Sequence, residues 1–322
     1  MNETGLETPP LAPGDPAGSR VGWKAALPWL GAVAVLAYLF WEVPLRDVWM
    51  AAQGARLDWF VPTVGIGILY WFLLDSWAYA YLISRFNAPL SWSEARAMRG
   101  VTYLIAAVNW NVGTAAIVLY LRRFKQVPAL ESTSSIFFYE NFSVLALVTL
   151  AFLGASSFGG EAEIQQIQGL SGWMLLVGVA VLTLLLGSQP NWSWLQRLRG
   201  WALFRSFRLT RPRDIAILLF IRVSYIVGFL TAFYIGAHSF GIEIPVSLAL
   251  ASVPVVLIAG ALPITPAGLG TQAATMLFFW EDYGDPAAIV AFGLVFPIAL
   301  TLARVVLGLP YLSELRRLRE SD

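Results

Sequence analysis

Apolar residues run along the chain in long blocks separated by short polar connections. Blocks of about 20 residues, the length that crosses a bilayer core as a helix, occupy 24–42, 59–83, 133–157, 171–188, 215–239 and 287–312. Two further blocks are interrupted. The stretch 101–121 carries Asn109, Asn111, Gly113 and Thr114 in its middle. The stretch 245–280 is too long for one span, and Pro263, Thr265, Pro266, Gly268 and Gly270 break it in a run that cannot stay helical. The pattern predicts an all-α polytopic membrane protein with about six full spans and two broken, re-entrant helical hairpins. For 245–280 a pair of short crossing helices remains the alternative.

Composition agrees with the pattern. The chain has 322 residues, 58% hydrophobic and 13% charged, with a mean hydropathy of +0.67. A soluble domain averages about 45–50% apolar and roughly 25% charged, so a soluble enzyme is excluded. With no Cys, thiolate metal sites, Fe–S clusters and Cys nucleophiles are excluded. A single histidine, His238, leaves no His-rich metal or haem constellation. There is no P-loop and no dinucleotide fingerprint. The expectation is a protein without catalytic residues, metal or cofactor, and with no nucleic-acid partner.

The placement of charge sets a topology. Residues 1–22 are rich in Pro, Gly and acids and read as a disordered cytoplasmic tail. Residues 23–314 read as one transmembrane domain, and 315–322 as a basic cytoplasmic tail. With the N-terminus cytoplasmic and both broken stretches leaving on the side they entered, the basic clusters fall on the inner face. These clusters are Arg20 and Lys24, Arg85, Arg96 and Arg99, Arg122, Arg123 and Lys125, the arginines of 197–213, and Arg316, Arg317 and Arg319. The outer loops carry Glu161, Glu163, Glu243, Glu281, Asp282 and Asp285 instead. That asymmetry is the positive-inside signature of an inner (plasma) membrane protein with both termini cytoplasmic. Span, broken stretch, span then occurs twice with opposite orientation, at 59–157 and 215–312. Inverted repeats with broken helices are a common transporter plan. Between them, 191–213 places Trp194, Leu198, Trp201 and Phe204 near helical spacing among arginines, predicting an amphipathic helix in the cytoplasmic interface.

Four ionisable residues fall inside predicted spans: Asp75, Glu140, Arg222 and Arg304. Each lies two turns from the cytoplasmic end, about 10–12 Å deep at 1.5 Å per residue. Two acids and two arginines at one depth can neutralise one another, as a registry network or as a polar cavity where arginines receive a phosphate. Unwound backbone at membrane depth is tolerated only where protein buries it or a wet cavity uses it. Asn109, Asn111, Gly113, Thr114, Pro263, Thr265, Pro266, Gly268, Gly270 and Gln272 are therefore candidates to line a ligand site, with a helix N-terminus near Gly270 and Gln272.

The run Leu262-Pro263-Ile264-Thr265-Pro266-Ala267-Gly268-Leu269-Gly270-Thr271-Gln272 resembles the P-x-[ST]-P-G-G-L-G-x-x-E signature of the lysylphosphatidylglycerol synthase transmembrane, or flippase-like, family. The basic end of 101–125, Glu140 and Arg304 agree with it. Three positions depart. Asn109–Thr114 stands where typical members have a Pro and an Arg, Asn141 follows Glu140 where an Arg is usual, and Gln272 replaces a Glu. The resemblance implies a module that moves lipid between leaflets. The chain ends ten residues after its last predicted span, so aminoacyl transfer is not expected of it.

The reading is a flippase-like protein that binds and translocates a phosphate-bearing lipid or polyprenyl-linked carrier. Arg222 and Arg304 would contact the phosphate, while Asp75 and Glu140 would hold the arginines. Membrane lipids are the expected partners. The alternatives are a non-transporting scaffold for an envelope-glycan glycosyltransferase or lipid-modifying enzyme, and an ion-coupled transporter of a small polar solute.

Overall fold

The computed structural model describes residues 36–108, 110–158, 162–187, 192–261, 269–314 and 316. The side chains of 108, 110, 111, 163, 261 and 269 are excepted. The tails 1–22 and 315–322, apart from Arg316, lie outside these residues, as does most of the span expected at 24–42; its end is helical over 36–42.

No strand occurs among the described residues. A short helix, α1 (Leu45–Gly54), leads into α2 (Leu57–Phe86). A helical pair follows, α3 (Trp92–Val108) and α4 (Trp110–Lys125), then α5 (Ala129–Phe158) and α6 (Ala162–Leu186). After two short helices, α7 (Ser193–Gly200) and α8 (Arg205–Leu209), come α9 (Pro212–Ser239), a second pair α10 (Val246–Ala261) and α11 (Leu269–Trp280), and α12 (Pro286–Gly308). Five segments are long and apolar enough to cross a membrane: Leu57–Phe86, Ala129–Phe158, Ile164–Leu186, Pro212–Ser239 and Pro286–Glu314.

Both broken stretches are antiparallel hairpins. At the base of the first, Lys125 Nζ meets Glu94 Oε1 at 2.7 Å. Near its tip a Cβ on Gly113 would lie 2.5 Å from the Ala106 Cβ, so only glycine lets the helices close. In the second, Trp280 Nε1 donates to Ser252 Oγ at 2.9 Å near the base, and Gln272 lies over Gly260 nearer the tip. Among the described residues, none of the four helices in these pairs reaches the roughly 20 residues that cross a bilayer core. Ser91 and Glu94 start α3 with a reciprocal capping box: Ser91 N donates to Glu94 Oε2 at 2.8 Å, and Glu94 N to Ser91 Oγ at 3.3 Å.

The two span–hairpin–span units embrace. Helix α2 packs along α9, α5 packs on α10 of the other unit, and α12 packs on α3 in return. Both exchanged contacts are made by glycines. A Cβ on Gly154 of α5 would lie 2.4 Å from the Ala251 backbone nitrogen, and one on Gly308 of α12 would lie 2.4 Å from Leu104. The second unit is filled by aromatic rings, with Phe233 edge-on to Trp280, Phe292 and Phe296 at 5.8, 5.1 and 5.0 Å. The polar interior lies between the first unit and α9, which contributes Arg222 and Tyr225 to it.

The connection 191–213 is not one amphipathic helix. It divides into α7, a 3-10 turn at Ala202–Phe204 and α8. Three buried anchors fold it inward. The Arg199 guanidinium donates to the Leu184 carbonyl at the end of α6, Phe207 is fully buried, and Ser206 meets Ser134 and Ser135 at 3.2 and 3.0 Å. Trp192, Trp194 and Trp201 remain exposed beside Arg197 and Arg208. Asp214 joins α9 to α2: it accepts from Tyr81 at 2.7 Å and from Arg85 at 3.0 Å, and it caps the Arg211 backbone at 2.9 Å.

Candidate functional site

Asp75 and Glu140 lie eleven residues from the ends of α2 and α5 nearest the arginine-rich face, and Arg222 ten residues into α9. At 1.5 Å per residue this is about 15 Å from the helix ends. The structure brings the three together and adds Arg99, which the charge pattern alone assigns to the connection outside the membrane. Arg99 is two turns into α3, with 7% of its side chain exposed.

The carboxylates and guanidiniums form one chain. Arg99 Nη2 donates to Asp75 Oδ2 at 2.6 Å, and Asp75 Oδ1 lies 3.8 Å from Arg222 Nη1. Arg222 Nη2 donates to Glu140 Oε2 at 2.8 Å, and Arg222 Nε donates to Ser143 Oγ. Ser143 Oγ in turn donates to Glu140 Oε2 at 2.9 Å. Each arginine is also held between two tyrosine rings. Arg99 lies 5.0 Å from the centre of Tyr79 and 4.9 Å from Tyr103, and Arg222 lies 4.8 Å from Tyr139 and 5.0 Å from Tyr225. Such contacts stabilise a desolvated cation by about 2 kcal/mol. They also leave the edge of the guanidinium fork for hydrogen bonding, the geometry that receives a phosphate.

These residues surround a cavity of about 40 Å³ lined by Asp75, Tyr79, Arg99, Thr102, Tyr103, Ala106, Gly113, Thr114, Ile117, Glu140, Arg222 and Tyr225. That volume holds a few waters, less than a phosphate ester needs. Arg99 Nε and the Tyr139 hydroxyl are buried without a hydrogen-bond partner, so the site has donors in reserve. Two cations and two anions line it, and their charges balance.

The cavity is open on one side. Glu140 has 45% of its side chain exposed, and Phe137 and Val144, on the same face of α5 at i−3 and i+4, are 41% and 54% exposed. Inside a long apolar helix, an exposed stripe of this kind faces the surrounding medium sideways.

Of the other residues singled out in the sequence, Gly113 and Thr114 line the cavity. Arg304 does not, but it lies within electrostatic reach of the Tyr103 and Tyr225 hydroxyls from α12, which packs on α3. Gly270 and Gln272 belong to the second hairpin, away from the cavity. Asn109, Pro263, Thr265, Pro266 and Gly268 lie outside the described residues, as does the side chain of Asn111. Arg99 and the four tyrosines were missed. One signal was available: the Ser91-x-x-Glu94 capping box starts the helix at Trp92 and so carries Arg99 inside it.

No group of three or more potential metal ligands occurs among the described residues. In comparison with known families, the model of the lysylphosphatidylglycerol synthase TM region matches residues 25–308. No curated protein matches the sequence.

Proposed function

We propose that this chain, an integral membrane protein that belongs to the lysylphosphatidylglycerol synthase transmembrane family, binds a phosphate-bearing lipid head group at Arg99 and Arg222 and carries it between leaflets. The observation that supports this most is the combination of depth and side opening. Two tyrosine-clamped arginines sit about 10 Å (Arg99) and about 15 Å (Arg222) from their helix ends, in a cavity whose edge, at Glu140, lies on an apolar exposed stripe. A head group can enter there while its acyl chains stay in the bilayer. The same side opening favours a lipid over a small solute, which would call for a sealed pocket. Phosphate displaces one carboxylate from the forks, which is how a cavity of about 40 Å³ admits it.

In this reading the basic face is cytoplasmic and the membrane is the inner (plasma) membrane. The α3–α4 hairpin is re-entrant, and the two units are inverted halves. Their exchanged glycine contacts are where one half would rock against the other. The protein acts as a translocator and not as an enzyme, and an associated lipid-modifying or glycosyltransferase partner would supply or consume the lipid.

Reconstitution in vesicles with a head-group-labelled anionic phospholipid tests this. The purified protein should equilibrate the label between leaflets, and Arg222→Gln should slow the exchange at least tenfold. Equal rates in protein-free and protein-containing vesicles, across anionic phospholipids and polyprenyl phosphates, would contradict the proposal.

A further inference from the structure

We infer that the site is proton-coupled: when a phosphate takes Arg222, Glu140 takes up one proton. This rests on the anion-binding reading above and adds the charge that travels with the ligand. The cavity is already balanced, with Arg99 and Arg222 against Asp75 and Glu140. An anion entering it either adds an unbalanced charge inside the bundle or arrives with a compensating cation. A proton is the cation that needs no assembled set of ligands.

The geometry separates the two carboxylates. Asp75 is 5% exposed and pinned by Arg99 at 2.6 Å, with Arg222 at 3.8 Å on its other oxygen. It has no free direction in which to move. Glu140 is 45% exposed, and its one ion pair among the described residues is with Arg222 at 2.8 Å. It is therefore the carboxylate a phosphate displaces. Once displaced, it faces the stripe of Phe137 and Val144. An unpaired carboxylate at that depth is costly and neutralises instead.

The surrounding groups do not replace the lost partner. Tyr79 of α2 and Tyr103 of α3 face it as neutral rings, and so do Tyr225 of α9 and Tyr139 of its own helix. Thr114 of α4 and Ser143 offer hydroxyls, and Arg99 stays bound to Asp75. Arg304 of α12 lies within electrostatic reach of Tyr103 and Tyr225. In the step itself, the Arg222–Glu140 ion pair breaks and a phosphate–Arg222 ion pair forms. A proton from water adds to a Glu140 carboxylate oxygen. The bound state is then electrically equal to the empty one, and a monoanionic lipid crosses together with a proton.

The test is calorimetric binding of a short-chain phosphatidylglycerol to the full-length, detergent-solubilised protein near pH 6, in two buffers of different ionisation enthalpy. This phosphodiester does not titrate near neutrality, so any proton taken up belongs to the protein. The expected result is close to one proton bound per lipid, with affinity rising about tenfold per unit of decreasing pH while the linkage is complete. Binding without proton uptake would overturn the inference and leave the anion site standing. No binding by the wild type would remove the anion site as well. Glu140→Gln should bind without uptake, and uptake that persists in this variant would overturn the assignment to Glu140. The wild-type measurement does not depend on the variant folding.

Discussion

Arg99 and Asp75 meet at 2.6 Å in the interior of the bundle, each with 7% or less of its side chain exposed. This contact ties the first hairpin to α2. A buried pair of this kind is weak evidence of net stabilisation, but removing one partner strands the other. Asp75→Ala should destabilise the protein by about 3–5 kcal/mol, because it leaves Arg99 uncompensated and takes a partner from Arg222. The double variant Asp75→Leu, Arg99→Met should be more stable than either single variant in denaturant unfolding in detergent. Greater destabilisation in the double than in both singles would contradict a coupled pair.

Arg222 serves as a fork, with Nη2 on Glu140 and Nε on Ser143. Lysine keeps the charge but cannot make both bonds or stack between Tyr139 and Tyr225. Arg222→Lys should weaken lipid binding at least tenfold, about 1.4 kcal/mol, with a much smaller change in melting temperature. Wild-type affinity in this variant would mean that charge alone is read.

The two glycine contacts differ in what they touch. Beside Gly154 the obstacle is the backbone of Leu250 and Ala251, which cannot turn aside, whereas beside Gly308 the nearest atoms are the Leu104 side chain. Gly154→Ala should therefore cost about 1–3 kcal/mol and lower the melting temperature more than Gly308→Ala. The reverse order would mean that the α5–α10 contact is not close-packed.

The base of the first hairpin gives a pH dependence. The hydrogen bond from Lys125, with that from the Ser91 backbone, holds the Glu94 carboxyl down at about 2. An unfolded Glu titrates at about 4.3. A depressed folded value stabilises above the unfolded one, and the contribution disappears as pH falls from about 4 towards 2. The difference in melting temperature between wild type and Glu94→Gln should be constant above about pH 5 and shrink below about pH 4. A difference that grows on acidification would contradict this assignment.

Much of this arrangement was legible in the sequence. Helix positions follow from apolar block length, and Asp75, Glu140 and Arg222 stand out because charge inside a span is expensive. Arg99 did not stand out. It lies in a polar, Arg-rich approach, and nothing local distinguishes a solvated arginine from one whose helix carries it inward. The tyrosines were hidden for another reason: they are ordinary in apolar spans, and only packing turns four of them into clamps. The helix expected at 191–213 failed because tertiary anchors at Arg199, Ser206 and Phe207 overrode a helical spacing of aromatic residues.

In the proposed function, Arg99 and Arg222 together hold the phosphate of a membrane lipid. Native mass spectrometry of the protein released from its own membrane tests it most directly, with the Arg99→Gln, Arg222→Gln variant beside the wild type. The wild type should retain a phosphate-bearing lipid of one mass class that the variant loses. The same lipids on both proteins, or none selectively on either, would exclude that role and leave the charged layer a structural network.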